Sequence, residues 1–212
     1  MRAHLLPRLS TGALILLLAA CGDKSTLPVG ADVGLNPTIK APVRTAIPTV
    51  DIAPARGWPE GGKPVAAAGL AVNAFASGLD HPRWLHVLPN GDVLVAETNA
   101  PERPEGKKGI RGYVMGKVMA KAGAAVPSAN RITLLRDADG DGVAEVKRVF
   151  LKGLNSPFGM ALVGDMLYVA NTDGIVRFPY REGELEITAT AQPVAPLPGG
   201  PLNHHWTKNI IA

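Results

Sequence analysis

A recurring segment constrains the fold of this chain more than any other feature. Residues 78–99 begin Gly-Leu-Asp-His-Pro, pass through a β-type run and a turn, and end Val-Leu-Val-Ala-Glu-Thr-Asn. Residues 153–173 follow the same plan, from Gly-Leu-Asn-Ser-Pro to Leu-Tyr-Val-Ala-Asn-Thr-Asp. A third copy opens at residues 200–205 with Gly-Pro-Leu-Asn-His-His, and the sequence ends soon afterwards at Ala212. The pattern predicts a repeat protein that is cut off early in its third unit.

The spacing of the copies indicates the kind of repeat. Leu154 and Leu202 are 48 residues apart, and Leu79 and Leu154 are 75 apart. The longer interval contains a segment of different character at about residues 100–129, and without it about 45 residues remain. A period in the forties with four short strands per unit is typical of β-propeller blades, whose apolar faces are covered by neighbouring blades. We therefore predict that residues 65–212 form an all-β partial propeller of two to three blades with one inserted helix.

Short apolar and β-branched runs, separated by Asn, Asp and Gly turns, give the expected strands. These are residues 70–76, 84–88, 93–97, 131–136, 145–151, 159–163, 166–170 and 175–178.

The inserted segment has the spacing of an amphipathic helix over residues 109–122. Its apolar positions recur every three or four residues, and basic residues occupy the remaining surface: Lys107, Lys108, Arg111, Lys117 and Lys121. Two interpretations stay open. The helix either packs on the rim of the propeller as part of a loop, or rests on a membrane surface.

The N-terminal part reads as an export and anchoring region. Residues 1–20 combine Arg2 and Arg8 with a short apolar run, which is typical of a secretory signal peptide. Leu-Ala-Ala precedes Cys21, as in a bacterial lipoprotein cleavage box, so Cys21 is the expected lipidation site. Residues 21–64 are rich in Pro and Ala and are expected to form a tether. The sequence therefore predicts a protein of the bacterial envelope on the periplasmic face, either lipid-anchored through Cys21 or periplasmic after ordinary signal cleavage.

Charge and cysteine content exclude two alternatives. The 22 basic residues, two of which lie in the signal peptide, nearly balance 18 acidic residues, and no dense basic tract suggests nucleic acid as a partner. Cys21 is the single cysteine, so no internal disulfide can support the fold.

An acidic loop is the most recognisable candidate metal site. Asp137, Asp139 and Asp141 alternate along the chain and can direct carboxylate oxygens at one hard cation, as at the start of an EF-hand loop. The twelfth position is Arg148 rather than a bidentate glutamate. The loop is thus either a weak calcium site within a β-hairpin or a solvated Asp-Gly turn.

A pair of histidines is the second candidate. His204 and His205 would point to opposite faces of a strand, so one of them can face a central cavity as a proton acceptor. Arg83 and Asn155 fall at comparable places in the earlier repeats, and equivalent positions of a propeller converge on its axis. Arginine, amide and imidazole together suit an anionic, oxygen-rich ligand.

The repeat motifs as a set resemble the sorbosone dehydrogenase group, which is related to the soluble glucose dehydrogenases that use pyrroloquinoline quinone (PQQ). The resemblance is carried by residues 78–84, 94–99, 131–142, 154–162 and 203–209. It covers nearly all of residues 65–212, including the inserted helix.

The resemblance implies a six-bladed propeller that carries PQQ and calcium on its axis and oxidises a sugar or sugar aldehyde. His205 aligns with the base that takes the substrate hydroxyl proton, and His204 occupies the place of a neighbouring acid in the glucose enzymes. Arg83, Asn155 and His204 are the expected cofactor contacts. Electrons would pass to a quinone or cytochrome acceptor. Most family contacts to PQQ and calcium lie in later blades, so this polypeptide alone is expected to be inactive.

Two other functions remain open from the sequence. The first is a non-enzymatic propeller that binds a carbohydrate or an envelope partner. The second is a calcium-dependent, lactonase-like propeller that hydrolyses esters without PQQ.

Overall fold

The computed structural model describes residues 27–41, 52–102, 109–124, 126–200, 203 and 205–212, without the side chains of Ile110 and Arg111. The expected signal peptide, Cys21 and His204 lie outside these residues. The chain divides into two compact units, Met1–Ile52 and Ala53–Ala212. Within the first unit, residues 27–41 form turns, with Thr38 N–H donating to the carbonyl of Ala31 at 2.7 Å.

The second unit contains two four-stranded antiparallel sheets and one helix. Each sheet is a meander, in which strands adjacent in sequence are adjacent in space. Sheet 1 contains β1 (Pro82–Val87), β2 (Val93–Glu97), β3 (Arg131–Arg136) and β4 (Val146–Leu151); sheet 2 contains β5 (Met160–Val163), β6 (Met166–Ala170), β7 (Gly174–Pro179) and β8 (Gln192–Pro196). Helix α1 (Gly109–Lys121) lies between β2 and β3 in sequence. The predicted all-β class and inserted helix are therefore confirmed.

Two strand assignments differ from the sequence prediction. The predicted strand at residues 70–76 is wrong, because this segment joins no ladder; the carbonyl of Phe75 accepts one hydrogen bond from the Ala144 amide. Strand β8 was not predicted, because its sequence Gln-Pro-Val-Ala-Pro contains two prolines that cannot donate ladder hydrogen bonds. The position of β8 at the edge of sheet 2 makes both prolines tolerable.

The sequence repeat is also a repeat of backbone conformation. His81 and Ser156 occupy equivalent positions, and both have a left-handed backbone, with φ of 48° and 44°. The preceding amides also match, because Asp80 N–H donates to the carboxylate of Glu97 and Asn155 N–H donates to the side chain of Asn171. Left-handed non-glycine residues are uncommon. Their recurrence shows that the two meanders enter their first strands in the same way.

The core lies between the two sheets. Strand alternation directs Leu94, Ile132 and Leu134 of sheet 1, together with Phe150, towards the buried face, where they form one cluster with residues of sheet 2. The sheet 2 members of this cluster include Met160, Leu167, Val169 and Phe178. The sheets approach each other most closely at their first strands, β1 and β5.

No helix in the described ranges combines the length and the apolar character needed to span a bilayer.

Candidate functional site

The antiparallel order brings the described candidate residues Arg83, Asn155 and His205 to one end of the two sheets. The end of β2 pairs with the start of β1 and with the start of β3. The turn before β5 lies at the same end, because the amides of Leu154 and Ser156 donate to Asn130, which precedes β3. We call this region the polar end, defined by Asp80, Arg83, Glu97, Asn155, Asp173, Asn203 and His205. The turns before the first strands supply Asp80 and Asn155, and strands β1 and β2 supply Arg83 and Glu97.

Arg83 connects the first repeat to the third. It is the second residue of β1 and is exposed, and its guanidinium carbon lies 5.6 Å from the ring centroid of Trp206. The indole of Trp206 is buried, so the ring that contacts the Arg83 guanidinium is held in place. Arg83 is thus held beside the residue that follows His205, with its hydrogen-bonding groups free to turn outwards.

Asn155 lies at the same end but at a different repeat position from Arg83. The matching amide contacts of Asp80 and Asn155 make these two residues equivalent, and Arg83 corresponds instead to Phe158. The sequence predicts comparable repeat positions for Arg83 and Asn155, but the residue equivalent to Asn155 is Asp80, three residues before Arg83. The Asn155 side chain donates from Nδ2 to Asp173 Oδ2 at 2.8 Å, so one of its donor groups is already engaged.

His205 is exposed and lies in a bend rather than a strand. Its carbonyl accepts a hydrogen bond from Lys208 Nζ at 3.0 Å. The carbonyl of Lys208 in turn accepts from the Gly159 amide at 3.0 Å. A Cβ on Gly159 would lie 2.6 Å from the backbone nitrogen of Ile210, so only glycine allows this close approach. The start of β5 therefore anchors the segment that carries the imidazole.

The third repeat is also tied to the second through Asn203. Its side-chain amide donates to Thr172 Oγ1 at 2.6 Å. Thr172 is buried and follows β6 at the polar end. Residues from all three repeats thus meet in this region.

Glu97 is the centre of a buried network that the sequence reasoning missed. Its carboxylate accepts from Arg131 Nε at 3.0 Å and Nη2 at 2.8 Å, and also from the Thr133 hydroxyl and the Asp80 amide. Arg131 further contacts Asp80 Oδ2 at 2.7 Å. Burial raises the pKa of Glu97, but the hydrogen bonds from Arg131, Thr133 and Asp80 outweigh it and lower the pKa overall.

Glu97 and Arg131 are directly paired across β2 and β3. The sequence could have indicated this network only if the register of these two strands had been known. The corresponding residue of the second repeat is Asn171, which makes the matching contact without a charge. Glu97 therefore fixes the segment that leads to Arg83. The ion pair is a feature of the first repeat, because Asn171 takes the same role in the second repeat without a charge.

The acidic loop lies at the opposite end of sheet 1, between β3 and β4. Oxygens of Asp137, Asp139, Asp141 and Glu145 lie within 4.8 Å of one another, which is compatible with a cation. Glu145 joins the three predicted aspartates. The amide of Gly142, helped by that of Gly140 and opposed by slight desolvation, lowers the pKa of Asp137. The length of β3 separates this loop from the polar end by roughly 17 Å.

Comparisons of the chain with protein-family models, with curated proteins and with solved structures find no match.

Proposed function

We propose that the two sheets are neighbouring blades of a six-bladed β-propeller. The observation that carries this proposal is the approach of the sheets at their first strands, which are the strands that surround the axis in a propeller. The consecutive strand order within each sheet and the equivalent backbone conformations of His81 and Ser156 support it. On this arrangement, the polar end surrounds one mouth of the central channel.

We further propose that the polar end forms part of the site of a PQQ-dependent sugar or aldehyde dehydrogenase. Arg83, Asn155 and His204 would hold the cofactor, and His205 would accept the proton from the substrate hydroxyl. When bound, PQQ supplies the acceptor for the hydride. The support for this activity is the motif resemblance together with the placement of Arg83 and the His205 segment side by side. An exported, lipid-anchored protein is part of the same proposal, with electrons passing to a quinone or cytochrome.

The described side chains fit only part of this cofactor. PQQ has three carboxylates, and Arg83 is an exposed guanidinium that can pair with one of them. Arg131 is committed to Glu97 and Asp80 and is a poor second partner. Among the described residues, the acidic group that could hold calcium is the Asp137 loop, which lies too far away to serve the same ligand. We therefore expect PQQ binding by this chain without turnover, and calcium in a structural role.

The test is a fluorescence titration of the full chain with PQQ, because a quinone near Arg83 would quench Trp206. Loss of one charge-assisted contact predicts that Arg83→Ala weakens PQQ binding by about tenfold or more. The matched control Arg148→Ala removes an exposed arginine from the outer strand β4 and should leave the affinity unchanged. Adding calcium should not alter the affinity either.

The titration distinguishes the alternatives. Absence of saturable quenching, or equal weakening by Arg83→Ala and Arg148→Ala, would contradict the cofactor site. Dye-linked oxidation of an aldose by this chain with PQQ and calcium would support the dehydrogenase and overturn the expectation that the chain alone is inactive.

A carbohydrate-binding propeller without enzymatic activity is the second candidate. It is favoured by the partly exposed indole of Trp84, whose ring centroid lies 5.2 Å from that of Phe158 near the polar end. Paired aromatic rings beside amide and carboxylate groups suit the apolar face and hydroxyl groups of a sugar. Saturable sugar binding in the absence of PQQ, combined with no response to PQQ, would select this function.

A further inference from the structure

Most of the described apolar side chains of helix α1 lie in solvent. Tyr113 is 67% exposed, Val114 53%, Met115 46% and Met119 38%. Of the side chains described between Gly112 and Lys121, only Gly112 and Val118 are not exposed. A helix packed on the rim of a sheet would bury one apolar stripe. The structure therefore does not support the interpretation of α1 as a loop helix packed against the strands.

Among the described residues, the contacts that attach α1 lie at its C-terminal end. The carbonyl of Lys121 accepts from the Ala55 amide at 3.0 Å, and the Asn99 side chain donates to the carbonyl of Val126 at 2.8 Å. These contacts hold the base of the helix, and its body makes no extensive contact with any strand. The insertion thus presents an amphipathic helix away from the core that it interrupts.

The apolar stripe is continuous, with Val118 as its half-buried member, and is flanked by positive charge. Val114, Met115, Val118 and Met119 are adjacent on a helix because they are spaced by one, three and four residues. Lys117 and Lys121 lie one turn apart on the neighbouring side. Residues 107–124 contain five basic residues and no acidic residue. Lys117 Nζ lies 5.8 Å from the ring centroid of Tyr113, so the ammonium group is placed over the aromatic face beside the stripe.

We infer that α1 binds the surface of an anionic lipid bilayer. Methionine, valine and tyrosine side chains would enter the boundary between headgroups and acyl chains, and Lys117 and Lys121 would contact lipid phosphates. The charge of one sign along residues 107–124 favours a uniformly anionic surface over a protein surface, on which both signs are interspersed. The inference is independent of PQQ and of the proposed dehydrogenase activity.

The experiment places an environment-sensitive fluorophore on the helix. The full chain carries Cys21→Ser and Met115→Cys, so that the label has one attachment point. The control carries the label at Val163→Cys on β5, where the native side chain is 49% exposed and thus comparable with Met115. Vesicles contain phosphatidylglycerol with phosphatidylcholine, or phosphatidylcholine alone. Because residues 12–20 are apolar and can bind lipid themselves, the readout must be specific to the labelled position.

We expect a blue shift of the label at position 115 with the anionic vesicles, and little shift with phosphatidylcholine or at position 163. Reversing two charges with Lys117→Glu and Lys121→Glu should raise the vesicle concentration that gives half of the maximal shift at position 115 by on the order of tenfold or more. The circular dichroism should stay unchanged. Absence of the shift, an equal shift at position 163, or an equal shift on neutral vesicles would overturn the inference. A shift that depends on protein concentration without lipid would assign the stripe to a second copy of the chain and would also overturn it.

Discussion

Replacing Glu97 by alanine is expected to lower the free energy of unfolding by about 3–5 kcal/mol, as is usual when one partner of a buried ion pair is removed. The Glu97 side chain is 1% exposed and receives hydrogen bonds from two side chains and one backbone amide. Its removal leaves Arg131 with only the exposed Asp80 and leaves the Thr133 hydroxyl without its partner. Urea denaturation of the wild-type and variant chains measures the difference.

The matched control for Glu97 is an ion pair in solvent. Glu186 contacts Lys152 Nζ at 3.1 Å, and Glu186→Ala should change the free energy of unfolding by less than about 1 kcal/mol. Equal losses for Glu97→Ala and Glu186→Ala would contradict the proposed role of burial.

The acid dependence of stability gives a second readout of the same network. Because the folded pKa of Glu97 lies below its ordinary value of 4.5, its contribution is fully present at neutral pH and is lost as the pH falls below that value towards the folded pKa. Glu97→Gln should reduce this loss of stability on acidification. A variant with the unchanged acid profile of the wild type would show that Glu97 does not titrate in this way.

Phe150→Ala is expected to destabilise the chain by about 3–5 kcal/mol, because truncation of a buried aromatic side chain removes apolar contact and leaves a cavity. Phe150 is fully buried and lies in the cluster between the sheets, where the backbone carbonyl of the same residue also accepts from the Ile187 amide. Unfolding measured by urea denaturation should remain a single transition, since both sheets contribute to this one core.

The neighbouring residue supplies the control for Phe150. Val149 points to the other face of β4 and is 42% exposed, so Val149→Ala should cost less than about 1 kcal/mol. Comparable losses for Phe150→Ala and Val149→Ala would mean that the face of β4 that packs in the core has been assigned wrongly.

The strands were predictable from sequence where local alternation and tertiary burial agree. The run 93–97 becomes β2 without any shift, because turns bound it and its side chains are buried. The segment 70–76 has similar composition but finds no ladder partner, and β-propensity alone does not supply one. Segment β8 has two prolines, which disfavour a strand, but it forms one because it pairs with β7.

The candidate site was predictable as a set of motifs rather than as a geometry. Repeat equivalence correctly places the turns before β1 and β5 at one end, but it cannot show that Asn155 is engaged by Asp173. Glu145 joins the acidic loop only because the hairpin folds back over Asp137. Similarly, the spacing of α1 predicts a helix, but only the packing of its neighbours shows that its apolar side chains are exposed.

The propeller arrangement is tested most directly by spin-label distances in the Cys21→Ser background. One pair, Val87→Cys and Val163→Cys, reports on the ends of the first strands of the two sheets, and a second pair, Val149→Cys and Val194→Cys, reports on the last strands. All four native side chains are exposed, so labels should not disturb the core.

Blades that radiate from an axis at about 60° separate by roughly 14 Å more at their fourth strands than at their first, given strand spacings of about 4.8 Å. We therefore predict that the distance between the last strands exceeds the distance between the first strands by about that amount. Two distances that agree within a few ångströms would identify a flat sandwich of sheets, which contradicts the propeller and with it a site at the hub.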